Sequence, residues 1–267
     1  MEREIELDEE VLVLLEKHPN SLRQMYSYLP SSTLYSEVVM PMQQPMIPLR
    51  IFSRILGLRL LPVLALLLLP GCALFESGAD LSNFRTVVID PGHGGIDHGA
   101  HAVRGMDEKM LTLDVAQRLR PLLQERGYHV IMTRNSDIFI PLGVRAAISN
   151  AHPDAVFVSI HCNWTPSRSV TGVESYYYNP SSAPFAGNVL HEIYNSYGSH
   201  SRGVKSCHYF VLHHNLRPAT LVELGFISNY QENARLQNPA VRQLLAERLA
   251  AGISKAQGGH APPPPGS

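Results

Sequence analysis

Four side chains in this sequence combine a reactive residue type with a telling setting. His93 lies in Asp90-Pro91-Gly92-His93-Gly94-Gly95, just after the β-branched run Val87-Val88-Ile89, and His161 directly follows the apolar run 155–160. Neutral imidazole is the commonest side-chain ligand for metals. Glu108 opens a stretch with helical periodicity, and Glu223 interrupts the otherwise apolar Thr220-Leu221-Val222-Glu223-Leu224-Gly225-Phe226. Each residue also has a purely structural reading. His93 can be a hydrogen-bonded loop residue, and Glu108 a helix-start acid favoured by the macrodipole. Glu223 can be the ion-pair partner of Arg202 or Arg217, because a buried carboxylate is costly unless paired. Taken together, His93, Glu108 and His161 offer two nitrogens and a carboxylate, a set that suits Zn2+ with a fourth position open to water. Glu223 is then the natural general base, taking a proton from water and passing it to a leaving amine. The chemistry implied is metal-assisted hydrolysis of an amide.

For this set to converge, the chain must bring the residues to one edge. The run 87–89 reads as a buried strand stopped by Asp-Pro-Gly, and the glycines around His93 leave its backbone free to turn sharply. Leu111, Val115, Leu119, Leu122 and Leu123 mark a helix after Glu108, closed by Gly127, and 128–133 reads as the next strand. This strand–helix–strand unit builds parallel sheets. A helix over 141–150 leads to the strand 155–160, apolar almost throughout, which predicts cover on both faces. Ligands of open parallel sheets bind beyond the carboxyl ends of the strands, so His93 and His161 leave their strands at the same edge, beside the start of the helix at Glu108. Farther along, 172–178, 207–212 and 220–226 read as strands, 185–197 as a helix, and Val241, Leu244, Leu245, Leu249 and Ile253 as a closing amphipathic helix. His98 and His101 share the loop of His93 and are rival ligands, although neither leaves a strand. Cys162 adjoins His161 but in an extended segment points the other way.

Composition limits the classes of function. Apolar residues make up 45% of the chain and charged residues 17%, which is globular rather than disordered. The formal net charge is −1, with no basic run interleaved with aromatics, so no nucleic-acid partner is expected. Residues 1–45 form an N-terminal extension to which no role is assigned. From Met46, Arg50, Arg54 and Arg59 flank the leucine-dominated run 60–69. About 10 apolar residues are too few to span a bilayer but suit an export signal. Leu69-Pro70-Gly71-Cys72 resembles a bacterial lipoprotein signal with Cys72 as the lipidated residue, so 46–72 is read as that signal and Met46 as a candidate translation start. An uncleaved anchor over 51–69 is the alternative, disfavoured by its internal arginines. Residues 73–83 read as a tether and 256–267 as a disordered Gly/Pro tail. Cys162 and Cys207 can pair or remain thiols.

Several separated motifs, in order, carry a family resemblance. They are Ile89-Asp90-Pro91-Gly92-His93-Gly94-Gly95 with Asp97 and Gly99-Ala100, Glu108-Lys109, Thr133-Arg134, Ser159-Ile160-His161-Cys162-Asn163, and Leu221-Val222-Glu223-Leu224-Gly225-Phe226-Ile227-Ser228-Asn229. They resemble the zinc-dependent N-acetylmuramoyl-L-alanine amidases of bacterial cell walls. The sequence departs from the family at Cys162, where a small residue is usual, and at His213, where arginine commonly follows leucine. The resemblance implies a three-layer α/β catalytic domain over 84–255, with a twisted, mostly parallel six-stranded sheet flanked by helices. It further implies zinc on His93, Glu108 and His161, catalysis by Glu223, and peptidoglycan cut between N-acetylmuramic acid and L-alanine. With Ala73 after the cysteine, an exported monomer is expected, held at the periplasmic face of the envelope as an outer-membrane lipoprotein.

Overall fold

The computed structural model describes residues 81–258. The extension 1–45, the signal containing Cys72, most of the tether and residues 259–267 lie outside the described residues. In chain order the elements are β1 (Thr86–Pro91), α1 (Glu108–Gln124), β2 (His129–Met132), α2 (Leu142–Asn150), β3 (Ala155–Asn163), β4 (Val173–Tyr177), a 3-10 turn at Pro180–Ser182 and α3 (Ala183–Tyr197). They continue as β5 (Ser201–Ser206), α4 (Phe210–His213), β6 (Ala219–Phe226), α5 (Tyr230–Gln237) and α6 (Pro239–Ala256).

The strands form one six-stranded sheet in the order β2-β1-β3-β6-β4-β5. Only the β4–β6 pair is antiparallel; β1–β2, β1–β3, β3–β6 and β4–β5 are parallel. The three-layer, mostly parallel arrangement expected from the sequence is therefore the arrangement found. Side chains alternate across the sheet, as the strand period of two requires. Val87, Ile89, Val156, Val158, Ile160 and Val222 enter one core with Leu111, Val115 and Leu119 of α1, Phe185 and Val189 of α3, and Leu245 and Leu249 of α6. Val88, Phe157 and Leu221 face the opposite core with Val144 and Ile148 of α2 and Val211 and Leu212 of α4. Cover on both faces is why the central strands read as largely apolar runs.

Two readings of the sequence need correction. The strand expected over 207–212 is not there: β5 lies earlier, at Ser201–Ser206, and Phe210–His213 is a short helix. Apolar Val211 and Leu212 are buried as a helical turn packed on the sheet, and a run that short has no periodicity to separate the two states. β5 is an edge strand, largely exposed and polar, and so lacks an alternating pattern. Ordered packing also continues past residue 255. The buried Gln257 side chain accepts from the Tyr128 hydroxyl at 2.8 Å and donates to the Phe84 carbonyl at 2.8 Å.

Candidate metal centre

The sheet's period of two decides which residues reach the site. Asp90 follows Val88 by two, His161 follows Ser159 and Phe157, and Glu223 follows Leu221, so all three point to the α2–α4 side of the sheet at its carboxyl edge. His161 and Glu223 are register partners on β3 and β6, and Glu223 also pairs with Glu174 on β4. Rather than ending at Ile160, β3 runs through His161 to Asn163, with a break in register between those two residues. Cys162, one residue on, is buried in the opposite core, as extended geometry requires.

Glu108 arrives from the other layer, as the first residue of α1. Its Oε1 lies 3.0 Å from His161 Nδ1 and 3.2 Å from His93 Nε2, and accepts from the Cys162 amide at 3.0 Å. Its Oε2 accepts the Ala100 amide at 2.8 Å. The two imidazole rings meet edge to face, with centroids 4.9 Å apart. One donor atom from each of His93, Glu108 and His161 falls within 4.8 Å of the others. A tetrahedral ion with ligand bonds of about 2.0–2.1 Å places its ligand atoms about 3.3 Å apart. The observed imidazole–carboxylate separations of 3.0 and 3.2 Å therefore fit a metal of that kind.

Backbone geometry makes the convergence possible. His93 is the one non-glycine residue with positive φ among the described residues, at 62°. A left-handed residue other than glycine costs about 1–2 kcal/mol, so the surrounding structure must hold it. Arg145, fully buried on α2, does much of this. Its Nη2 donates to the His93 carbonyl at 2.6 Å and its Nη1 to Pro91 O at 2.7 Å and Asp90 Oδ1 at 2.8 Å. Arg134, equally buried, donates to the carbonyls of Pro91, Gly92 and Lys109. Gly92 is required for a different reason: a Cβ there would lie 2.4 Å from the His161 ring.

Asp97 orients the His93 ring. Its Oδ2 lies 2.8 Å from His93 Nδ1. An ionised carboxylate only accepts, so Nδ1 carries a proton, and its bond to Asp97 fixes the ring with Nε2 towards Glu108. Asp97 and Arg134 stand within the motifs shared with the amidases, but nothing in their local sequence marks them as supports of His93. Arg145 has no local signal at all.

The electrostatics separate the two glutamates. Burial alone would raise the Glu108 carboxyl, but hydrogen bonds and charge from His161 and His93 outweigh it and hold Glu108 well below the usual carboxylate range. Burial likewise opposes protonation of His93, yet Glu108 and then Asp97 raise it above the ordinary imidazole value. Glu223 is pushed well above its ordinary value by burial and then by the charges of Glu108 and Glu174. Only 8% of Glu223 is exposed, and its Oε2 has no hydrogen-bond partner. The ion pairs considered for it do not form. Arg202 binds Glu174 at 3.2 Å, and Arg217 donates to the Pro153 carbonyl. Glu174 also accepts from Lys205, Tyr176 and Asn163.

His93, Glu108, His161 and Glu223 line one cleft of about 530 Å³, rimmed by Leu142, Trp164, Tyr209 and Phe210. His98 and His101 do not join them, and gather instead around Asp107. Cys162 and Cys207 are free thiols.

Fold and site together define an α/β protein with a metal-competent pair of histidines, a glutamate and an unpartnered acid at the carboxyl edge of its sheet. The chain belongs to the N-acetylmuramoyl-L-alanine amidase family, whose model matches residues 87–255. Protein YqiI of Bacillus subtilis is 34% identical over 194 residues, covering 71% of this chain and 91% of its own length. N-acetylmuramoyl-L-alanine amidase AmiC of Neisseria meningitidis is 31% identical over 215 residues, covering 63% of this chain; the match spans about half, 52%, of that relative. The solved catalytic domain of CwlV, an N-acetylmuramoyl-L-alanine amidase from Bacillus (Paenibacillus) polymyxa, is 32% identical with a TM-score of 0.63 and covers 64% of this chain and 97% of its own.

Proposed function

We propose that this protein is a zinc-dependent amidase that cleaves peptidoglycan between N-acetylmuramic acid and the L-alanine of the stem peptide, in wall remodelling or daughter-cell separation. His93, Glu108 and His161 hold the ion, and Glu223 is the catalytic carboxylate. The observation that carries this reading is Glu223 itself, a buried carboxylate with an unpartnered oxygen beside a two-histidine, one-carboxylate donor set in a single cleft. Zinc when bound supplies a Lewis acid and lowers the pKa of bound water towards neutrality. The raised affinity of Glu223 for a proton suits it to take one from the attacking water and deliver it to the leaving nitrogen. Asp97 fixes the His93 ring with Nε2 turned inward towards Glu108, while the amides of Ala100 and Cys162 fix the Glu108 carboxylate. Exposed Trp164 and Phe210 give the cleft rim apolar surface on which sugar or peptide can rest.

The wall is extracytoplasmic, so the protein must be exported. Residues 46–72 serve as the signal, Cys72 receives the lipid, 73–83 tether the catalytic domain that begins at residue 84, and the anchor holds a monomer at the periplasmic face of the envelope, in the outer membrane. Digestion of purified peptidoglycan tests the activity. Release of stem peptides with a free L-alanine amino terminus is expected, and cleavage at any other bond refutes the assignment.

A further inference from the structure

The loop between β1 and α1 carries a second cluster of metal-ligating side chains that the catalytic reading does not use. His98, His101 and Asp107 each offer one donor atom within 4.8 Å of the other two. Asp107 Oδ2 lies 3.0 Å from His101 Nδ1 and 3.6 Å from His98 Nδ1. These two separations bracket the edge of about 3.3 Å that a tetrahedral ion with nitrogen and oxygen ligands requires. The catalytic cluster has the same composition, two imidazoles and one carboxylate, with corresponding separations of 3.0 and 3.2 Å. The carboxylates of the two clusters come from consecutive residues, Asp107 and Glu108.

The settings differ in ways that predict different binding. Glu108 is buried, whereas the side chains of His98 and His101 are 51% and 76% exposed. An exposed site with three protein ligands leaves the remaining coordination to water and exchanges its ion readily. We propose that His98, His101 and Asp107 form a second, peripheral site for a divalent transition metal of the zinc, copper or nickel class, occupied at higher free-metal concentration than the catalytic site. Imidazole and carboxylate together suit those ions and not calcium or magnesium, which take oxygen ligands.

Occupancy has a structural consequence. Gly99 and Ala100 lie between the two histidines, and the Ala100 amide bonds Glu108 Oε2 while its carbonyl accepts the Glu108 amide at 3.1 Å. The His98 carbonyl accepts the Lys109 amide, and Asp107 Oδ1 accepts the amide of Ala102. An ion joining His98 and His101 to Asp107 closes this loop onto the start of α1, across the segment that holds Glu108. The second site thus tightens the frame of the first without entering the cleft.

Zinc stoichiometry in the full-length chain tests this, by equilibrium dialysis at buffered micromolar free zinc with ion content measured by atomic spectrometry. Three proteins are compared, namely wild type, His98→Ala/His101→Ala and Glu108→Gln. The double variant is expected to hold one ion fewer than wild type, with unchanged circular dichroism and unchanged activity at low zinc. His98→Gln/His101→Gln replaces it if the alanine pair loses helical signal. Equal zinc content in wild type and double variant overturns the second site. A wild type with one ion and a double variant with none leaves this site standing and removes the catalytic one. Glu108→Gln separates the two readings again, because it should retain the ion that depends on His98 and His101.

Discussion

Asp90 transfers no proton, yet much of the site rests on it. Its carboxylate accepts from the hydroxyls of Thr133 at 2.6 Å and Ser159 at 2.7 Å and from Arg145 Nη1 at 2.8 Å. Burial works to raise its pKa, but the Arg145 charge and the two hydroxyl bonds prevail and hold it below the ordinary aspartate value. A depressed carboxylate contributes stability above its unfolded pKa, near 3.9, and that contribution is lost as pH falls through the folded value. Asp90→Asn should therefore cost about 3–5 kcal/mol at neutral pH by leaving Arg145 buried without its partner. The gap between wild type and variant should narrow as pH is lowered below about 4. Urea unfolding at a series of pH values measures this, and a gap that widens on acidification contradicts it. Because Arg145 also holds the His93 carbonyl, the variant should lose activity beyond what its stability explains.

At the scale of elements, the site depends on how closely β1 and β3 deliver their histidines. Gly92 stands where any side chain would strike the His161 ring. Gly92→Ala should push His161 away from Glu108 and lower zinc affinity about 10–100-fold, the range seen when support for a ligand is lost. A zinc competition titration reads the change, and unaltered affinity contradicts the packing. The same scale shows what the sequence discloses. His93 was legible because it follows, and His161 because it stands near the carboxyl end of, a strand covered on both faces whose apolar run is long enough to recognise. Glu108 was legible because helical periodicity begins there. The edge strand Ser201–Ser206 and the helical turn Phe210–His213 were not, since one is polar and exposed and the other is too short to show a period. Arg145 was hidden for another reason: it meets His93 and Asp90 only through tertiary packing, across some fifty residues of chain.

At the scale of the whole molecule, an enzyme acting on an insoluble wall gains from being held beside it. Among the described residues no helix is long and apolar enough to cross a membrane. In the proposed reading a lipid at Cys72 supplies the attachment, and two hydrophobic signals or more are needed for firm anchoring. Growth with a labelled fatty acid should mark the wild-type protein and not Cys72→Ala. An unlabelled wild type would remove the anchor while leaving the amidase reading intact.

The central claim is that His93, Glu108 and His161 hold a metal on which Glu223 chemistry depends. Its most direct test measures zinc content and peptidoglycan hydrolysis together for wild type, Glu223→Gln and His93→Ala, before and after chelation and zinc return. Glu223→Gln should keep its catalytic zinc and lose about 10²–10⁴-fold in rate, the usual worth of a general base. His93→Ala should lose both, and wild type should stop on chelation and recover with zinc. Hydrolysis by chelated wild type, or by Glu223→Gln at the wild-type rate, would contradict it.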